Sequence, residues 1–157
     1  GAPLIPTRVS LAYAKTAGFE WGSDAGFDML DCNTLASGDA DVINTTLQLV
    51  LPCLDKIKIL ASVTGERISL TPNAPTMGEV NADLDLALWN GLFVRKETPQ
   101  DVRDKIIAVA KKTMMSDRAQ KLAKETGASV YWTDAAASAA QIKSDGEALG
   151  RLGALLK

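Results

Sequence analysis

Residues 87–107 read ALWNGLFVRKETPQDVRDKII, an apolar run that turns into a strongly punctuated helix start. Leu86, Leu88, Leu92 and Val94, together with Trp89 and Phe93, are too apolar for a solvated strand, so residues 86–94 are predicted to form a buried one. Thr98 then supplies a helix cap and Pro99 a first helical position, where its missing N–H costs nothing. The stretch therefore predicts strand, tight turn and helix, with the helix running from Pro99 to about Met115. Its Val102, Ile106, Val109 and Met114 fall near one face.

Upstream, helix and strand signals alternate, which predicts an α/β class with a mainly parallel sheet. Thr7 is an expected N-cap for a helix that carries Val9, Leu11, Ala12 and Tyr13 and stops at Gly18. Phe19–Trp21 reads as a short strand. Ser23 or Asp24 is expected to cap a second helix through Phe27, Leu30, Thr34 and Leu35, ended by Gly38. Ala40–Ile43 is a second strand. Thr45 or Thr46 opens a third helix that Pro52 should kink or interrupt. Lys56–Val63 is the next strand. After it, Gly65, Pro72, Asn73, Pro75 and Gly78 make the chain irregular, with a short helix near Met77–Val80.

Beyond Pro99 the pattern is helical almost to the end. Asp117–Thr126 forms a helix closed by Gly127, and Ser129–Trp132 reads as one more strand. Thr133 is expected to cap a last helix with Leu149, Leu152 and Leu156 in a stripe. Gly146, Gly150 and Gly153 each cost that helix about 1 kcal/mol relative to Ala, so packing must hold it.

At 157 residues the chain can bury one sizeable core. No apolar run approaches the roughly 20 residues that span a bilayer. The opening GAPLIPTR lacks the regions of a signal peptide, which fits a cytosolic chain or a trimmed mature one. With 17 basic and 19 acidic residues there is no basic stripe to neutralise phosphates, so nucleic acid is not an expected partner. The absence of histidine removes the commonest general base and the commonest metal ligand together, which argues against hydrolase triads and zinc sites. Neither an enzyme activity nor a cofactor nor a metal site is expected. Cys32 and Cys53 lie in helical patterns without CxxC spacing, and read more readily as two small core residues than as a disulfide.

Several of these stretches, in order, resemble the extracytoplasmic solute-binding proteins of tripartite tricarboxylate transporters, the TctC or Bug family. Gly38-Asp39-Ala40-Asp41-Val42 resembles the family's entry into a buried strand, and Leu51-Pro52 a Leu-Pro in the helix after it. Ile59-Leu60-Ala61-Ser62-Val63-Thr64 resembles its next strand, and Asn73-Ala74-Pro75-Thr76-Met77-Gly78-Glu79 its Pro-Thr turn. Trp89, Gly91, Leu92, Phe93, Thr98 and Pro99 match the exit from the second lobe. The family's Tyr-Lys/Arg-Gly-Gly-like loop is replaced here by Gly22-Ser23-Asp24-Ala25-Gly26.

The resemblance implies a periplasmic-binding-protein type II-like lobe over residues 5–96, followed by C-terminal helices, 97–157, belonging to an incomplete first lobe. It implies a periplasmic protein that binds a small carboxylate-bearing solute and delivers it to membrane transporter subunits, this chain being a partial form. An effector-binding domain of a transcription regulator, or a ligand-free fragment, is the alternative. Helix N-termini offer free N–H groups to carboxylates. Three predicted helix starts are therefore expected to converge on the ligand, through Thr7 and Arg8, through Ser23, and through Asn44, Thr45 and Thr46. Each of these residues also has an ordinary capping or surface role open to it. Helices after Thr98 that lack their sheet are expected to turn back onto the second lobe or to self-associate.

Overall fold

A computed structural model describes residues 5–157. Seven α-helices occupy it: α1 (Ile5–Ala17), α2 (Cys32–Ala36), α3 (Leu47–Val50), α4 (Met77–Val80), α5 (Gln100–Met114), α6 (Asp117–Thr126) and α7 (Ala135–Leu155). Short 3-10 turns at Leu51–Cys53 and Ala82–Leu84 complete the regular structure of the described residues.

The α/β expectation is corrected. The described residues contain no sheet, and one isolated parallel bridge, Ser62 to Thr76, stands where strands were predicted. Several of the predicted strands have pairing groups or side chains engaged elsewhere. Phe19 and Trp21 fold back on α1: the rings of Tyr13, Phe19 and Trp21 stack edge to face, with centroids 5.8 and 5.0 Å apart. Trp21 Nε1 also donates to the Ser10 carbonyl at 3.1 Å. Ser62 exchanges hydrogen bonds with the 75–77 turn, its N–H to Pro75 O at 2.9 Å and its O from Met77 N at 2.8 Å. Val130 O is taken by the Gln120 side chain at 3.2 Å. Between the 56–63 and 86–94 runs a single backbone bond forms, Leu88 N to Val63 O at 3.4 Å. An apolar run shows that residues tolerate burial; a strand also needs a neighbour in register. Without that second layer Leu60 and Leu88 stay about half exposed.

The core lies between α1 and α7. Val9 and Ala12 on α1 meet Ala148 and Leu152 on α7, and the turn at 82–84 inserts Leu84, with Leu86 just beyond it. Val9, Leu84 and Leu152 are fully buried. The alanines at 12 and 148 let the two helices approach closely, since interaxial distance follows side-chain size. Leu149 and Leu156 pack against this cluster with Leu152, so the predicted stripe on α7 is the buried one.

Helix ends follow local chemistry. Gly18 takes φ 75° and lets Phe19 N reach Ala14 O at 3.1 Å, closing α1 in a Schellman turn. Ile5 is already helical, however, so Thr7 sits inside α1 instead of capping it. The second predicted helix shrinks to α2: Asp31 caps it in a reciprocal box with Thr34, and neither Ser23 nor Asp24 opens a helix. Thr76 and Glu79 make the same box for α4. Pro52 marks the change from α3 to a 3-10 turn. Pro99 occupies the cap position of α5, and Asp134, one residue after Thr133, accepts from Ala137 N at 2.8 Å to cap α7. Ser116 caps α6, and Gly127 at φ 72° ends it against Leu47, Ile68 and Leu70.

Cys32 and Cys53 form a disulfide with Cα atoms 5.9 Å apart, which corrects their reading as separate core residues. Neither is fully buried. The turn after α3 brings Cys53 back beside α2, a contact across 21 positions that spacing alone does not reveal.

Arg67 grips Glu79 through two nitrogens, Nε at 3.0 Å from both carboxylate oxygens and Nη2 at 2.7 Å from Oε1. Its Nη1 holds Pro72 O at 3.0 Å, so one guanidinium ties the irregular loop to α4. The Arg67 hydrogen bonds, followed by the Thr76 backbone N–H, lower the Glu79 pKa from 4.5 to about 2. A depressed carboxylate pKa contributes stability that is fully present above the unfolded value and is lost as pH falls through the folded one. The Glu79 contribution should thus be constant above pH 4.5 and disappear on the way down to about 2. Carbon-detected NMR titration of the Glu79 carboxyl should give its midpoint near 2, moving up toward 4.5 in Arg67→Ala. A midpoint unchanged by that substitution would remove Arg67 as the cause.

Candidate functional site

The first two turns of α1 are where the chain's separated loops meet. Asn44 Nδ2 donates to Pro6 O and to Ser10 Oγ, both at 3.0 Å, and Ser10 Oγ donates in turn to Pro6 O at 3.1 Å. With the Trp21 indole on the Ser10 carbonyl, the loops around residues 21 and 44 are pinned to one stretch of helix. Sequence reasoning singled out Asn44 but gave no sign that its partner would be α1, 38 positions away.

Thr7 and Arg8 lie half-buried beside this junction on α1. A Cβ placed on Gly153 would stand 3.0 Å from Arg8 Nη2, so the guanidinium lies over the last turn of α7. That position also suits a cation, because the carbonyl end of a helix carries partial negative charge. Thr45 Oγ1 donates to Leu30 O at 2.7 Å, which anchors the loop before α2. Thr46 precedes α3 and is exposed, with no side-chain cap bond. Ser23 is exposed in the loop between α1 and α2.

The structure thus brings Asn44 together with the α1 turn that carries Thr7 and Arg8. It does not build the expected convergence of three helix starts at a sheet edge. No helix begins at Ser23, and no sheet edge exists among the described residues. The Asn44 amide hydrogens and the Thr45 hydroxyl hydrogen are also directed at protein carbonyls or hydroxyls. An anion at this junction would draw its donors from Arg8 and the hydroxyl of Thr7, with Asn44 acting as the brace that holds the loop.

A second feature adjoins the first. An open, mostly apolar groove of about 380 Å³ runs beside the core between Leu86, Leu88 and Trp89 on one side and Ile142 and Leu149 of α7 on the other. Its polar point is Asp145, which accepts from Trp89 Nε1 and, at 2.8 Å, from Gln141 Nε2. Trp89, expected in a core, is half-buried along this groove with its indole N–H satisfied. Asp145 was missed, and the signal available was its spacing from Gln141 on one helix face.

No described helix is long and apolar enough to cross a membrane. A family model, the tripartite tricarboxylate transporter family receptor, matches residues 28–157. No curated protein and no solved structure matches the chain. The matched span takes in the Asn44 loop, the 73–79 turn, the 87–107 stretch and all of α5 to α7. This chain belongs to the TctC family of tripartite tricarboxylate transporter receptors.

Proposed function

We propose that the protein binds a small carboxylate-bearing solute outside the cytoplasm and presents it to the membrane subunits of a tripartite transporter. In this reading residues 5–96 correspond to the receptor's second lobe and 97–157 to the C-terminal helices of the first. The observation that carries it is the family match over residues 28–157. The Cys32–Cys53 disulfide supports an extracytoplasmic site of action, because such bonds persist in oxidising compartments and are reduced in the cytosol. The same bond weighs against a cytosolic transcription regulator.

The ligand's carboxylate is assigned to the α1 junction, with Arg8 supplying charge, Thr7 a hydroxyl donor and Asn44 the loop brace. Ser23, Thr45 and Thr46 lie on the two loops that lead into the junction and complete the candidate set. A bidentate Arg–carboxylate contact explains why a cation on the first turns of α1 would select this ligand class.

Isothermal titration calorimetry against di- and tricarboxylates, with amino acids as a contrast panel, tests this directly. Heat is expected for at least one carboxylate. Arg8→Ala should weaken that binding by about 10- to 100-fold, the range for losing a charge-assisted hydrogen bond. Absence of heat across the carboxylates would sink the solute-binding reading, whereas binding untouched by Arg8→Ala would sink only the assigned junction.

A further inference from the structure

Asp145 stands in the apolar groove without a counter-ion. The groove, of about 380 Å³, is walled by Leu86, Leu88 and Trp89 on one side and by Ile142 and Leu149 of α7 on the other. Its volume is that of a small-molecule cleft, and apolar walls around very few polar groups are the usual lining of such clefts. The polar group here is a half-buried carboxylate. Neutral donors hold both of its oxygens, the Trp89 indole at Oδ2 and Gln141 Nε2 at Oδ1, 2.8 Å away. None of the ion pairs among the described residues includes it. Neutral donors fix the direction of a carboxylate but leave its charge uncompensated. A charge drawn partly out of water against apolar walls is costly until an opposite charge joins it.

Two neighbours fit the groove to a cation. Trp89 lines it beside the carboxylate, and tryptophan is the side chain whose ring face attracts cations most strongly. Gly146, next to Asp145 on α7, also lines the groove, and a Cβ placed there would meet nothing within 4 Å. No packing contact therefore demands glycine at 146, and alanine is the better helix former. What the glycine leaves is room beside the carboxylate.

A carboxylate, an indole and apolar walls together select an organic ammonium ion, and the same carboxylate repels an anionic solute. The groove is also separate from the α1 junction. Asp145 precedes Gly153, where the Arg8 guanidinium lies, by eight residues, or about 12 Å of helix rise. We propose that this groove is a binding site for a small organic ammonium ion, with the charged nitrogen at Asp145 and Trp89 and the apolar body between Leu86, Leu88 and Leu149. The site is independent of whether the α1 junction takes a carboxylate.

Phenethylammonium is a suitable probe, with phenylpropionate as a counterpart of the same ring and chain length but opposite charge. The Trp89 indole N–H reports binding in proton–nitrogen NMR, its resonance being identified by its loss in Trp89→Phe. Phenethylammonium should move that resonance to saturation, and phenylpropionate should bind at least about 10-fold more weakly. Asp145→Asn keeps the side chain's shape and removes its charge, so it should weaken phenethylammonium binding by about 10-fold or more. Gly146→Leu fills the empty space and should abolish binding, with circular dichroism showing the helices intact. A Trp89 resonance unmoved by millimolar phenethylammonium would overturn the proposal. So would equal affinity for the two probes, or phenethylammonium binding that survives either substitution unchanged. A lysine-bearing peptide that moves the resonance where the free amine does not would overturn it in favour of a protein partner.

Discussion

Leu152→Ala is expected to lower the stability of the folded chain by about 3–4 kcal/mol, the middle of the range for emptying a buried leucine site. Leu152 is fully buried on α7 and lies where α1, α7 and the turn carrying Leu84 meet. Its neighbours leave little room to relax into the gap. Val9 and Leu84 are themselves fully buried, and Ala12 and Ala148 carry only a methyl group that cannot reach into the gap. The missing methyl groups therefore leave a cavity, and the surrounding contacts are lost along with the transfer energy. Urea denaturation followed by Trp fluorescence measures it, since Trp89 shares a groove with Leu86 and Leu149 of this core. A change below about 1 kcal/mol would mean that α1 and α7 do not form the core, because even a shallow apolar site loses more than that.

Replacing both Cys32 and Cys53 by Ser is expected to cost about 3 kcal/mol, from the loop-closure entropy of a cross-link across 21 positions. The loss should be local before it is global. The loop closed by the bond contains α2 and α3 but buries fully only Thr34 and Val50, so few other contacts hold it. Hydrogen exchange at Ser37, Gly38, Ala40 and Leu49, whose N–H groups bond within the loop, should accelerate, while amides of α1 and α7 keep their protection. A dithiol reductant should reproduce the effect in the unmutated chain. Exchange that is unchanged in the loop would show that Thr45 and Asp31 hold it without the covalent bond.

Helix stops were more legible in the sequence than helix starts, because a glycine at positive φ acts alone whereas the expected caps Thr7, Ser23 or Asp24, Thr98 and Thr133 gave way to other residues. The glycines at 18, 38 and 127 stop helices at positive φ, and α6 spans Asp117–Thr126 as its pattern predicts. The short helix α4 falls at Met77–Val80 because Thr76 and Glu79, three residues apart, satisfy each other's backbone. The Leu149, Leu152 and Leu156 stripe announced which face of α7 would be buried. The strands were not legible in the same sense. The runs at 56–63 and 86–94 have strand composition, but composition says nothing about whether a neighbouring backbone arrives in register. One weak bond between them is all that does. The candidate site shows the same division. The types of residue at 7, 8, 44 and 45 pointed to caps and donors, while only the fold revealed that Asn44 spends both amide hydrogens on α1 and Thr45 its hydroxyl on Leu30.

By itself, then, the sequence determined the family of this receptor, the glycine stops of its helices and the helices α4 and α6, because ordered motifs, reciprocal caps and glycines act over a few residues. The tertiary structure alone decided that Cys32 joins Cys53, that the loop around Asn44 docks on α1, and that the apolar runs remain outside any sheet. Those outcomes depend on which distant segments meet, and the entropy of bringing them together leaves no mark on local spacing.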